Sequence, residues 1–513
     1  MRWIAGLPIT NVQLAHQMLC GQVNALTPAE ISALERLKIL EALKETAMFT
    51  QAELAKRYLG KPLPLDQADA QAWISVVGLW AALGANYQRC LDAYREGDLP
   101  ISPFAALVTL RCLRNAGYAL FEHYQVYREP GAAAWRAFHQ LFAFAEEHGI
   151  SRMRVQDVFA RHDADSSCAE AYIQGLLANL ANPYALSARQ MAFLRRWLGP
   201  WSSLVTLSAQ PLPPGAIPPL AVDLNGDAPA GLAAQVTPGT SVRYLDLEPI
   251  AKTLRQTINL LKQGQTPGKL GLGEDARQPG CESLIMLLYL QWCRAGTLRT
   301  EERRPANEST EVCFGIADAH KLLGGEDKAP ARAEFSARDK WEMDNLGFST
   351  RASTSVMQSA IKKSENWRIL NHSKSGFMCM LREPSGLLRL SHNQLLGICS
   401  SAGAKLGTVQ WIKVDGNNEC QCGIRLFAGT PKAIAVRPSN FNQAGKLGFE
   451  QALLLPEVAM PATPLTVILP AGWFQAGRTI EIEGENKQVA KLLNLVERGA
   501  DFDRGTIAMM EAA

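Results

Sequence analysis

Between residues 1 and about 200, apolar positions recur every three or four residues, the period of a helix that buries one face. Ile31, Leu34, Leu37 and Leu40 share such a face, with Glu35, Arg36, Lys38 and Glu41 around them. Ahead of them, Thr27-Pro28-Ala29-Glu30 combines an N-cap, a first-turn proline and a capping-box acid. Thr50-Gln51-Ala52-Glu53 and Ser187-Ala188-Arg189-Gln190 repeat the capping box. Further helices are predicted over about 69–95, 101–128, 132–148 and 165–181, with Trp73, Trp80, Trp135, Phe138 and Phe142 to fill a core. The pattern predicts an α-helical domain over 1–200, a bundle or an array of helix pairs without a clean repeat.

The period is lost at 201–240. Pro211, Pro213, Pro214, Pro218, Pro219 and Pro229, with Asn225-Gly226-Asp227, exclude long helices and predict an extended linker. Helical patterning returns over 241–298, with helices at about 246–264 and 281–295. Between these, residues 268–275 form the richest glycine loop of the chain. It lacks a Gly-Lys-Ser/Thr ending, and Glu274 and Asp275 would repel a phosphate, so a helix-to-helix connector is expected.

From about 299 the period changes to two, the signature of strands. Val312 to Ile316, Trp367 to Leu370, Phe377 to Leu381, 386–390, 394–398 and 407–414 read as strands. Asp415-Gly416-Asn417-Asn418 then makes a hairpin turn into Cys420 to Phe427. Cys420 and Cys422 fall on one face as small core residues. At Asn371-His372-Ser373-Lys374-Ser375-Gly376 a strand runs into a polar turn. There Asn371 and Ser373 can bond main-chain groups two residues on, and Gly376 is expected to supply a positive φ. Upstream stand Arg299 and Arg303, four residues apart, with Arg304 beside them.

The Asn-x-Ser-x-x-Gly turn, the Arg-x-x-x-Arg pair just before the first strand, and a late hairpin with a central Trp411 answered by Gly423-Ile424-Arg425 together resemble PilZ domains. The resemblance covers about 299–438 and implies a small antiparallel β-barrel that binds cyclic di-GMP. It further implies that Arg299, Arg303 and possible substitute Arg304 clamp phosphates and guanines, and that Asn371, Ser373 and Gly376 hold the other side. The chemistry suits such a ligand: guanine O6 and N7 and the phosphates accept from a guanidinium fork, which also stacks on a purine. The chain departs from the family in its long excursion between Arg303 and Asn371, ascribed to an insertion over about 324–366. Residues 439–513 alternate again and predict a further β-rich unit. The expected fold class is therefore α+β and multidomain: an α-helical N-terminal domain, a PilZ-like small antiparallel β-barrel and a β-rich C-terminal unit.

Composition narrows the function. The chain has 513 residues, 47% apolar and 20% charged, with a net charge of only +3, which gives no prior for coating a polyanion. Eleven scattered cysteines without a secretory leader suggest reduced thiols and a cytoplasmic protein, and no run is long and apolar enough to predict a membrane span. Arg161 to Asp165 fits a helix boundary better than a metal cluster, and His123, His139 and His148 are expected to be interfacial or exposed. No nucleophile, carboxylate pair or metal spacing stands out, so an enzyme has the least support, and the resemblance implies a non-enzymatic receptor. It would bind cyclic di-GMP and signal to a protein partner through the helical domain. A PilZ scaffold that binds no nucleotide, or less readily a binder of single-stranded RNA, are the alternatives.

Overall fold

A computed structural model describes residues 6–156, 165–213, 215–294, 301–325, 365–381, 390–400, 403–439, 448–459, 462–483 and 488–510. Arg299, most of the 324–366 excursion, most of the Arg161–Asp165 cluster and most of the strand expected at 386–390 lie outside these residues. The chain divides into two compact units, Met1–Thr300 with Lys413–Asp415, and Glu301–Ile412 with Gly416–Ala513.

The first unit is helical: α1 (Val12–Leu26), α2 (Ala33–Ala55), α3 (Gln67–Arg95), α4 (Ala105–Gln125), α5 (Ala132–Glu147), α6 (Cys168–Leu180) and α7 (Ala188–Ser202). Between α5 and α6, two short strands, β1 (Val155–Gln156) and β2 (Asp165–Ser166), pair antiparallel. The capping box at Ser187 closes on Gln190 as expected. The other two do not form. Thr27 ends α1, and the box that opens α2 is Ser32 with Glu35. Thr50 lies inside α2, where its hydroxyl donates to the Thr46 carbonyl at 2.9 Å.

The core is aromatic. Phe142 stacks on Tyr172 with ring centroids 4.2 Å apart, and Phe138 lies so close to Gly175 that a Cβ there would meet its ring at 2.6 Å. His139 is fully buried rather than interfacial or exposed, bonded to the Tyr172 hydroxyl at 2.6 Å and the Ala228 carbonyl at 2.9 Å.

The segment expected as linker is structured. β3 (Thr206–Ser208), β4 (Leu220–Asp223), β5 (Gly231–Leu232) and β6 (Val242–Asp246) form an antiparallel sheet in the order β3-β6-β4-β5. Pro211, Pro213, Pro218, Pro219 and Pro229 sit between its strands, where no ladder N–H is needed, and Leu220, Ala221, Val222 and Leu245 are buried. Then α8 (Glu248–Lys262) and α9 (Gly280–Cys293) follow. Trp292 ties α9 to α6 by donating to the Leu177 carbonyl at 3.1 Å. The glycine loop before α9 is a connector, with Arg196 laid over Gly273 and paired to Asp275 at 2.7 Å.

The second unit holds two closed six-stranded antiparallel barrels. The first comprises β7 (Arg304–Phe314), β8 (Glu365–His372), β9 (Gly376–Leu381), β10 (Leu395–Ser400), β11 (Gly403–Val414) and β12 (Cys420–Leu426), in the order β10-β11-β12-β9-β8-β7. A short helix, α10 (Gly315–Leu322), follows β7. Cys420 and Cys422 are buried in this barrel, as their alternation predicts. The second comprises β13 (Lys432–Pro438), β14 (Glu450–Leu455), β15 (Thr466–Pro470), β16 (Thr479–Ile482), β17 (Gln488–Arg498) and β18 (Phe502–Met510). β13, placed by sequence in the first barrel, pairs instead with β14 and β16 of the second. The chain is thus α+β and multidomain, with two barrels where one barrel and an undefined β unit were expected.

The barrels share a core. Leu395, Leu406 and Phe427 pack with Leu453, Leu455, Ile468 and Phe502, and Ala319 of α10 joins them. Around it, Arg425 pairs with Glu497 at 2.7 Å, and the Leu395 N–H donates to an Asp501 carboxylate oxygen at 2.9 Å.

Candidate functional site

The hairpin of β8 and β9 carries the polar turn, and β7 lies on the other side of β8. Arg304 opens β7 opposite His372, and Pro305 stands opposite Asn371. Two irregularities flank Asn371. One extra residue is accommodated in β7 between Pro305 and Glu308, and one in β8 between Ile369 and Asn371. Such bulges bend a strand and re-aim a side chain. Here they place the Asn371 amide at the barrel rim, where Arg303 donates to its oxygen at 3.4 Å across a separation of 68 residues. The amide nitrogen faces the Met378 sulfur at 3.2 Å.

The turn itself is closed by its main chain, not by the Asn371 and Ser373 side chains as the sequence suggested. Ser373 N–H donates to the Gly376 carbonyl at 2.8 Å, and Leu426 N–H donates to the Ser375 carbonyl at 2.8 Å. Gly376 does not take a positive φ. Glycine is needed there for a different reason: a Cβ would meet the Ile424 carbonyl oxygen, on neighbouring β12, at 2.3 Å. The backbone of β9 therefore passes where any side chain would collide.

Of the residues singled out from sequence, the structure brings Arg303, Asn371, Ser373 and Gly376 to one rim, with Arg304 at the same end of β7. Arg303 and Arg304 are exposed. Among the described residues no hydrogen bond or ion pair holds the Arg304 guanidinium. Lys374 lies in the turn, and the Lys405 ammonium sits 5.9 Å from the centroid of the Phe377 ring. The rim is thus rich in cations and in amide and hydroxyl groups. It offers guanidinium forks, a half-buried aromatic face and hydrogen-bond donors in one open place. That combination suits a ligand carrying both negative charge and planar rings.

Two residues outside those singled out from sequence, Glu301 and Ser375, meet at the same turn. Glu301 stands two residues ahead of Arg303. One of its carboxylate oxygens accepts from both the Ser375 N–H at 3.2 Å and the Ser375 hydroxyl at 2.7 Å. Hydrogen bonds from Ser375 and Ser373, with Lys374 nearby, hold the Glu301 carboxyl below its ordinary range. The available signal was the second serine of Ser373-Lys374-Ser375, which puts another donor into the turn.

Comparison with known proteins bears on both units. Residues 1–213 match the family described as "Cyclic-di-GMP receptor FimW, N-terminal domain", and residues 434–508 match the "FimW C-terminal beta-barrel domain". The second match falls within the barrel formed by β13 to β18, while the barrel carrying the polar rim lies between the two matched segments. A relative, the cyclic-di-GMP receptor FimW of Pseudomonas aeruginosa, is 23% identical over an alignment covering 96% of this chain and 87% of that protein. In its N-terminal domain and its C-terminal β-barrel, the chain is similar to the cyclic-di-GMP receptor FimW family.

Proposed function

We propose that this chain is a non-enzymatic receptor for cyclic di-GMP, and that the nucleotide binds at the rim of the first barrel. The observation that carries this reading is the Arg303–Asn371 hydrogen bond at 3.4 Å, which brings the arginine arm to the turn despite the long excursion between them. The family of the two flanking domains and the PilZ-like turn support the same ligand. In this reading Arg303 and Arg304 take phosphate and guanine edges through their forks. Asn371 and Ser373 supply polar contacts on the other side, and Gly376 keeps the turn tight against β12. Arg299, by its spacing alone, extends the arm.

Binding then orders the arm on the rim, and a protein partner reads the change through the helical domain. A ligand shifts such an equilibrium only by its differential affinity for the two states, so the arm must contact nucleotide in one state alone. No helix among the described residues is long and apolar enough to cross a membrane.

Calorimetric titration with cyclic di-GMP tests the site. The wild type should bind, and the Arg303→Ala, Arg304→Ala double variant should lose at least about 100-fold, since hydrogen bonds to charged groups contribute roughly 1.5–3 kcal/mol each. Equal affinities would remove these arginines from the site.

A further inference from the structure

The Glu301–Ser375 contact has no evident structural purpose. Glu301 is fully exposed, and exposed ionic contacts add little to stability. Yet the contact is specific: two donors of one residue converge on a single carboxylate oxygen across a separation of 74 residues, with Ser373 and Lys374 beside them. The depressed carboxyl shows that this turn favours a negative charge. A carboxylate and a phosphodiester are alike in what such donors see, since each carries one negative charge shared by two terminal oxygens. Two residues further along the chain, Arg303 reaches the same turn.

We propose that Ser375, with Ser373 and Lys374, forms an anion subsite for one phosphodiester of the bound nucleotide. Glu301 occupies that subsite as an internal stand-in until the ligand displaces it. This rests on the reading of the rim as the cyclic di-GMP site and adds a subsite and a competitor to it. The free receptor is then partly self-occupied. Ligand must break the Glu301 contacts before it gains its own, which weakens binding and raises the nucleotide concentration at which the receptor responds. Displacement also frees residue 301 and, with it, the arm that carries Arg303.

The test is titration of the full chain with cyclic di-GMP, using wild type, Glu301→Ala, Ser375→Ala and the double variant. All keep the main-chain bond from Leu426 to Ser375, so the turn is expected to persist, which unchanged circular dichroism would establish. Removing the competitor should tighten binding about five-fold, and removing the hydroxyl should weaken it about ten-fold. The gain from Glu301→Ala should shrink in the double variant, because the competitor matters only where its subsite is intact. Unchanged or weaker binding by Glu301→Ala would make Glu301 a mere positioning contact and overturn the proposal. Unchanged binding by Ser375→Ala would equally overturn it. Both results would leave the receptor reading standing if wild type still binds. Silence from wild type and Glu301→Ala alike would overturn both.

Discussion

Gly376 is held to glycine by a demand that its own stretch of sequence does not display. A glycine closing a polar turn suggests a positive φ, but here the demand is for space beneath the Ile424 carbonyl, 2.3 Å from where a Cβ would stand. Gly407 meets β12 from β11 in the same way, with the Arg425 carbonyl 2.5 Å from its missing Cβ. Both contacts are with main chain, which cannot swing aside like a side chain. Gly376→Ala should therefore destabilise the barrel by about 2 kcal/mol, a typical cost of overpacking, measured as a lower urea midpoint at an unchanged slope. A variant as stable as wild type would show that β12 yields easily and that the glycine serves another end. His139 teaches a related lesson. Its phase on the helix is readable, but its burial depends on Tyr172 and Ala228, which are distant in sequence.

Among elements, helices were more legible than their beginnings. The apolar period located α3 and α5 closely, and the capping box located the start of α7. Thr50 followed the same capping pattern inside a continuous helix, because a buried threonine can bond back to the preceding turn instead. Strands β8 to β12 of the first barrel were legible from alternation, but their partners were not. Nothing in Lys432–Pro438 tells which barrel it joins, since pairing is decided by residues far along the chain. Asp501 sits at one such junction, half-buried between β17 and β18 and accepting from Leu395 of the other barrel. Desolvation raises its carboxyl from 3.8 to about 6. Between those values the folded chain binds more protons than the unfolded one, so stability from this group is full below the lower value and is lost as pH rises through the upper. Asp501→Asn keeps an acceptor for Leu395 and should flatten that slope. Urea midpoints at about pH 5 and pH 7 should differ less in the variant than in wild type. Equal slopes would assign the dependence to other carboxyls.

For the whole molecule, the proposed signal has to leave the barrel that receives it. Hydrogen exchange with and without cyclic di-GMP tests this directly. Added protection is expected at the β7, β8 and β9 rim, and changed exchange is also expected in the helices of the first unit. Protection confined to the barrels would reject transmission through the helical domain while keeping the binding site. The shared interior of the two barrels has a different consequence, one for inheritance. Phe427 and Phe502 bring their rings to 6.2 Å across a seam of leucines, where the two barrels bury apolar side chains against each other and against α10. Recombination that copied the first barrel alone into another gene would also have to repaint Leu395, Leu406 and Phe427 with polar side chains. The pair should therefore travel through evolution as a single cassette.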